Sequence, residues 1–407
     1  MSLAEKSDGI LETHVHWEEI EEQMQKSLET TATFGPNKTA KDIGIGNGFV
    51  SRIALINPDW QNGSDNLPKT FVAKICSALA LIEFSQNGDK QEDLSGIVEK
   101  ILIVGPRIHN TEVDTYQILK KYDEGRIPLP KIYATRKFSD ENKTRGYILM
   151  EYFDDLVSCH IYDVVDVESI KKALRSIAIW QAVGLKLTDE ERNKFTKTSM
   201  SENLSDVFSA EMIERTGDGF RSFLGPDYSE ITEQYVDVLR KYCNKENFTK
   251  LDFLSDKLGC KRVLCHGDLW CTNILWTKTN GAFDIKAHID FQATSFNGLA
   301  MDINRVISAC LSGSDRRKNY KDLLKTFYSY LEEEVDGEMP YSYEQLEHGY
   351  KYYTPLSASM NLMFVNQIYT FISNKFPESA EKIKETLLEK TVALMEDAVD
   401  SQNTQPL

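Results

Sequence analysis

Apolar and polar positions keep two different rhythms along this chain. Residues 16–30 (HWEEIEEQMQKSLET) carry apolar residues at helical spacing, with acids gathered in the first half where a helix dipole favours them. The stretch IGIGNGFVSRIALINPDW is rich in glycine and β-branched residues, and FVSRIALI alternates with period two, which predicts a strand. A polar turn, QNGSDNLPK, separates it from a second short apolar run, TFVAKI, so the two are expected to pair as an antiparallel hairpin. Residues 109–123 return to helical spacing. IPLPKIYATRKF and TRGYILMEYF then read as two further strands around the charged turn SDENK.

Beyond about residue 154 the strand signal nearly vanishes. VESIKKALRSIAIWQAVGL, the regions near 204–224, 228–245 and 316–334, and the last sixty residues predict helices. One island interrupts them: RVLCHGDLWCTNILW followed by FDIKAHIDFQ, short apolar strands with polar loops. The expected class is α+β. Residues 1–153 form a small antiparallel-sheet domain with an N-terminal helix, and residues 154–407 form a larger, mainly helical one. The link lies around Glu151–Asp154, and a cleft between two such domains is where small ligands tend to bind.

The chain has 407 residues, which suits more than one core, and its 41% hydrophobic and 27% charged composition is that of a folded protein. A net charge of −16 removes the basic footprint of a nucleic-acid binder. No run of 18 apolar residues predicts a membrane span. The first twenty residues lack the basic and apolar regions of a secretory signal. Seven scattered cysteines fit a reducing cytoplasm. Cys260, Cys265, His266 and Cys271 invite a zinc reading, but no C-x-x-C pair supports it.

The sharpest chemical signal is His266-Gly267-Asp268-Leu269-Trp270-Cys271-Thr272-Asn273, followed by Ile289-Asp290-Phe291. Phosphoryl transfer needs a carboxylate to accept the proton of the attacking hydroxyl, and oxygen ligands to hold Mg²⁺ against the phosphates. Asp268 suits the first task. Asn273, five residues on, and Asp290, at the end of the next strand, suit the second. An isolated Asp or Asn in a loop is ordinarily a cap or turn residue. All three at the H-x-D-x-x-x-x-N…D spacing of a kinase catalytic loop, flanked by strands, point to chemistry. Lys74, in FVAK, is placed to reach nucleotide phosphates, with Glu112 in the following helix as its counter-charge. A solubilising edge lysine and a first-turn acid are the plainer readings of those two. Gly44, Gly46 and Gly48 make a G-x-G-x-G turn that could approach phosphates or simply close a hairpin. Glu151 and Tyr152, in LMEYF, would offer backbone groups to an adenine. Asp302 reads as the N-cap of the MDINRVISACL helix, with bracing of the catalytic loop as a second role.

HGDLWCTN with HIDFQ resembles the motif pair of the aminoglycoside phosphotransferase and choline kinase superfamily. HGDLW-x-x-N with IDFQ is more similar still to the ecdysteroid kinase-like (CHK kinase-like) group, in which Gly stands where protein kinases have the Arg of H-R-D. GNGFVSRI, LPKTFVAKI and TEVDTYQIL are similar to that group's glycine loop, lysine strand and glutamate helix, and the resemblance spans about residues 40–385. It implies a bilobal protein-kinase-like fold using ATP and Mg²⁺ to phosphorylate a hydroxyl of a small molecule, either a steroid-like alcohol or an amino alcohol. It also implies Asp268 as base, Asn273 and Asp290 as Mg²⁺ ligands, and a Lys74–Glu112 pair. Gln292 replaces the Gly of D-F-G, no A-P-E follows, and about ten residues run from Ala293 to Asp302. A peptide-docking activation loop is therefore not expected. A cationic acceptor would call for an aromatic cage, with Trp180, Trp270, Tyr350, Tyr352, Tyr353 and Tyr369 as candidates, although aromatics at helical spacing are more often core. The competing reading is a catalytically silent kinase-like binding module. The complete set of Lys, Glu, base and metal ligands favours an enzyme. Oligomeric state is not legible.

Overall fold

Strand Phe71–Cys76 sits at the centre of a five-stranded antiparallel sheet. The computed structural model describes residues 2–44, 50–87, 95–195, 200–205 and 207–404. The strands are β1 (Thr39–Asp42), β2 (Ser51–Asn57), β3 (Phe71–Cys76), β4 (Ile132–Arg136) and β5 (Tyr147–Glu151), in the order β1-β2-β3-β5-β4. The expected β2–β3 hairpin forms with Ile53 opposite Lys74. β1 was not anticipated, because TAKD has no apolar alternation. Its exposed and half-buried residues show it to be an edge strand.

Period-two geometry sorts β3 into two faces. Phe71, Ala73 and Ile75 join Ile10, Val15, Ile20, Met24, Ala54, Ile56, Tyr147 and Leu149 in one buried cluster. Helix α1 (Trp17–Leu28) contributes Ile20 and Met24 to it. Val72, Lys74 and Cys76 therefore face the other side, toward α3. Helix α2 (Leu79–Asn87) precedes α3 (Ser95–Tyr122), which begins well before the expected residue 109. Pro106 lies inside it. A proline removes one backbone donor and normally ends a helical pattern, which is why the sequence pattern showed only the second half.

The chain divides into two compact units, residues 1–120 with 129–155, and residues 121–128 with 156–407. The second is mainly helical. It opens with α4 (Val167–Lys186), capped by Asp166, whose carboxylate accepts from the Ser169 amide at 2.9 Å. Most of α4 is buried, including Ile170, Leu174, Ile177 and Trp180. Two small antiparallel pairs lie among the helices: β6 (Val263–Cys265) with β9 (Ser295–Asn297), and β7 (Ile274–Thr279) with β8 (Ala282–His288). The β7–β8 turn is Asn280-Gly281, both at positive φ, as a two-residue hairpin requires. β9 was not anticipated. At three residues it is too short to show alternation. The fold is thus α+β, a small antiparallel-sheet unit and a larger, mainly helical one, as expected. Among the described residues no helix is long and apolar enough to cross a membrane.

Two buried histidines tie stability to pH. His109, 4% exposed, holds the Arg136 carbonyl through Nε2 at 2.9 Å, and burial pushes it down to about 4. His288 is fully buried against Trp180, and burial pushes it down to about 3. The unfolded chain takes up these protons near pH 6.5 while the folded chain resists, so stability present above about 6.5 is lost as pH falls toward 4. Each ring contributes a slope of about 1.4 kcal/mol per pH unit. Calorimetric unfolding between pH 7 and pH 4 should show a midpoint that drops steadily below about 6.5. A flat profile would mean that neither ring is held neutral.

Candidate functional site

The catalytic-loop candidate begins where β6 ends. Cys265 is paired with Ser295 of β9, and the chain turns at once into His266. The helix Met301–Cys310 then supplies the brace. Asp302 is 1% exposed and accepts from the His266 amide at 2.7 Å and the Gly267 amide at 3.0 Å. This corrects the N-cap reading: the capping position is Ala300, and Asp302 lies within the helix with its carboxylate turned to the loop. Burial raises the Asp302 carboxyl above its ordinary value, while the His266 ring and the two amides oppose the rise. His266 is itself buried, with its ring 4.5 Å from Phe291 and 6.0 Å from Trp180. Nδ1 accepts from the Asp268 amide at 3.3 Å, which leaves Nε2 to donate to the Ile289 carbonyl at 2.9 Å. One ring thus links the loop to the residue before Asp290.

Gly267 has φ +88°, and a Cβ built there would lie 2.2 Å from the Ala293 carbonyl oxygen. Both the conformation and the space demand glycine, a local reason for Gly at this position.

Asp268 and Asn273 are in contact. The Asn273 Nδ2 donates to the Asp268 carbonyl at 2.8 Å and approaches its Oδ2 at 3.3 Å. With Nδ2 turned that way, Asn273 presents Oδ1 on the other side. The Ile289 amide donates to the Asn273 carbonyl at 3.0 Å, extending the β7–β8 ladder beyond Ile274–His288. The register therefore sets Ile289 opposite Asn273, with Asp290 the next residue along the chain. Asp290 is in the left-handed region at φ 66°, which turns it out of the strand, and Gln292 Nε2 lies 3.5 Å from its Oδ2. Among the described residues no group of three His, Cys, Asp or Glu side chains could hold a metal. One amide oxygen and one carboxylate nonetheless suit Mg²⁺, which keeps water and phosphate oxygens in its shell.

Arg305 was not singled out from the sequence. Its Nη2 is 3.2 Å from Asp268 Oδ1, and its guanidinium stands 5.4 Å from the centre of the Trp270 ring. The available signal was its place three residues after Asp302, on the same helix face.

The sheet unit holds the other candidates. Lys74 Nζ lies 2.6 Å from Glu112 Oε2, with side chains 12% and 1% exposed. β3 is a central strand, so Lys74 is not an edge lysine. Glu112 lies past the middle of α3, so it is not a first-turn acid. Gly44 is buried, its amide donating to Asp42 Oδ1 at 2.9 Å, and a Cβ there would meet Ile53 at 2.7 Å. Gly46 and Gly48 lie outside the described residues. Glu151 ends β5 and its amide donates to the Lys131 carbonyl at 2.9 Å, with half-buried Tyr152 next. The aromatic-cage candidates are otherwise engaged. Trp180, Tyr350, Tyr352 and Tyr353 are buried, half-buried Trp270 has the Arg305 guanidinium 5.4 Å from its ring centre, and half-buried Tyr369 packs on Phe223 at 5.3 Å.

The chain belongs to the family DUF1679, described as "Uncharacterized oxidoreductase dhs-27", which it matches over residues 3–405. A Caenorhabditis elegans protein of that name is 23% identical over 352 residues, covering 83% of this chain but 40% of the relative. The chain thus spans less than half of that protein. A second C. elegans relative, "Uncharacterized kinase-like protein D1044.1", is 23% identical over 369 residues, covering 89% of this chain and 93% of the relative. Among solved structures, choline kinase from Cryptosporidium parvum Iowa II aligns with a TM-score of 0.46 at 14% identity, over 90% of this chain and 92% of that one. An ethanolamine kinase from Plasmodium vivax aligns with a TM-score of 0.38 at 14% identity, over 86% and 80%.

Substituting Gly267→Ala should cost about 1–3 kcal/mol from backbone conformation alone, before the clash with Ala293 is added. Urea unfolding monitored by circular dichroism would read this. A variant as stable as the wild type would mean the loop is not held as described.

Proposed function

We propose that the chain is an ATP- and Mg²⁺-dependent phosphotransferase that moves the γ-phosphoryl group to a hydroxyl of a small molecule. The observation that supports this is the contact of Asn273 with Asp268 on one loop, together with the hairpin register that sets Ile289, the residue before Asp290, opposite Asn273. Asp268 is the base: its Oδ2 takes the proton of the attacking hydroxyl, which raises nucleophilicity as the phosphoryl group leaves ADP. Asn273 and Asp290 are the residues that would hold Mg²⁺, whose chemistry is to neutralise phosphate charge. Lys74 binds the α- and β-phosphates, and Glu112 keeps it extended. Residues 1–153 act as the nucleotide-binding lobe, with Gly44 the described member of its glycine turn. Backbone groups of Glu151 and Tyr152 meet the adenine, other than the Glu151 amide, which donates to the Lys131 carbonyl. Residues 154–407 carry the catalytic loop and the acceptor site.

Membership of the ecdysteroid kinase-like group is part of this proposal, supported by the H-G-D-L-W and I-D-F-Q forms. The acceptor is a steroid-like alcohol or an amino alcohol. The seven cysteines are free thiols, as a reducing cytoplasm would leave them. The oxidoreductase name belongs to a relative more than twice as long, of which this chain covers 40%.

Replacing Asp268→Ala should lower ADP release by about 100-fold or more while leaving Mg-ATP affinity nearly unchanged. Turnover equal to the wild type would remove Asp268 from the mechanism. Asp290→Ala should weaken nucleotide binding in Mg²⁺ but hardly at all in EDTA, as titration calorimetry would show. An equal loss in both buffers would assign Asp290 a structural role instead.

A further inference from the structure

We propose that Arg305 is the positioning residue for Asp268, holding one carboxylate oxygen so that the other faces the acceptor. This rests on the phosphotransferase reading above. A single helix turn of Met301–Cys310 carries two groups to the same loop. Asp302 grips the loop backbone, and Arg305, three residues later, reaches the Asp268 side chain. The guanidinium is anchored on three sides. Nη2 donates to Asp268 Oδ1 at 3.2 Å, Nη1 donates to Asn361 Oδ1 from helix Tyr343–Leu362, and the plane stands 5.4 Å from the Trp270 ring centre.

The burial is asymmetric. The Arg305 side chain is 7% exposed, and that of Asp268 is 30% exposed. A guanidinium keeps its charge at any pH the fold survives, so once buried it requires a partner. The partner it has is the carboxylate proposed as base. A charge-assisted contact shielded on one side is screened less than a surface ion pair and restricts the geometry of both groups. With Oδ1 held by Arg305 and Oδ2 3.3 Å from the Asn273 Nδ2, the carboxylate cannot rotate freely. Lysine could supply the charge but not the fork that reaches Asp268 and Asn361 together.

The test uses the 407-residue chain with Mg-ATP and whichever of a steroid polyol, choline, ethanolamine or an aminoglycoside supports the fastest ADP release. In Arg305→Ala, kcat should fall about tenfold to 100-fold while the KM for ATP stays within about twofold. Arg305→Lys should retain more activity than Arg305→Ala, and added methylguanidinium should restore part of the loss. In an Asp268→Ala background, removing Arg305 should have no further effect. A folded Arg305→Ala with wild-type kcat overturns the proposal and leaves the phosphotransferase reading intact. So does a loss that neither lysine nor methylguanidinium relieves and that tracks a lower melting temperature. A wild-type chain that turns over none of these alcohols overturns the underlying reading and this proposal with it.

Discussion

Two backbone amides, those of His266 and Gly267, converge on one buried carboxylate, and the geometry of the catalytic-loop candidate depends on that convergence. A carboxylate at 1% exposure is costly unless it is hydrogen-bonded, so the loop and the helix Met301–Cys310 can pack only when the amides point at Asp302. Once they do, much else follows. Gly267 is pressed against the Ala293 carbonyl, and the His266 ring is set between the Asp268 amide and the Ile289 carbonyl. Asp268 is delivered to Arg305. The same buried anion thus sets the start of the loop, and the imidazole carries that order to the residue beside Asp290.

The sheet unit applies similar logic to a pair of opposite charges. Strand alternation sends Phe71, Ala73 and Ile75 to one core, and so sends Lys74 to the face of α3. There the ammonium meets a nearly inaccessible Glu112. An ion pair at this burial is poor evidence for stability, since desolvation offsets much of the attraction. It is better evidence that a lysine is being held in a particular place. The central position of β3 makes that place rigid.

The legible part of the sequence was the part governed by local rules. Alternation found β2, short apolar runs bounded by polar turns found β3 to β5, helical spacing found α1 and α4, and the H-x-D-x-x-x-x-N spacing marked Asp268, Asn273 and Asp290. The illegible part came from contacts distant in sequence. Asp302 looks like a cap because its partners, His266 and Gly267, lie about 35 residues away along the chain. Arg305 resembles any helical arginine until Asp268 is seen opposite it. Glu112 was legible as the counter-charge of Lys74, while the plainer first-turn reading arose because Pro106 hid the start of α3. β9 exists as a strand through its pairing with β6, and no pattern of its own announces it.

The central claim is that this chain transfers a phosphoryl group to an alcohol. The most direct test is mass spectrometry of products after incubating the chain with Mg-ATP and a panel of hydroxylated metabolites, steroids and amino alcohols together. The account predicts at least one phosphorylated alcohol, formed in step with ADP and absent when Mg²⁺ is chelated. ATP bound in a Mg²⁺-dependent manner, with every alcohol recovered unchanged, would contradict it and identify the chain as a silent binding module.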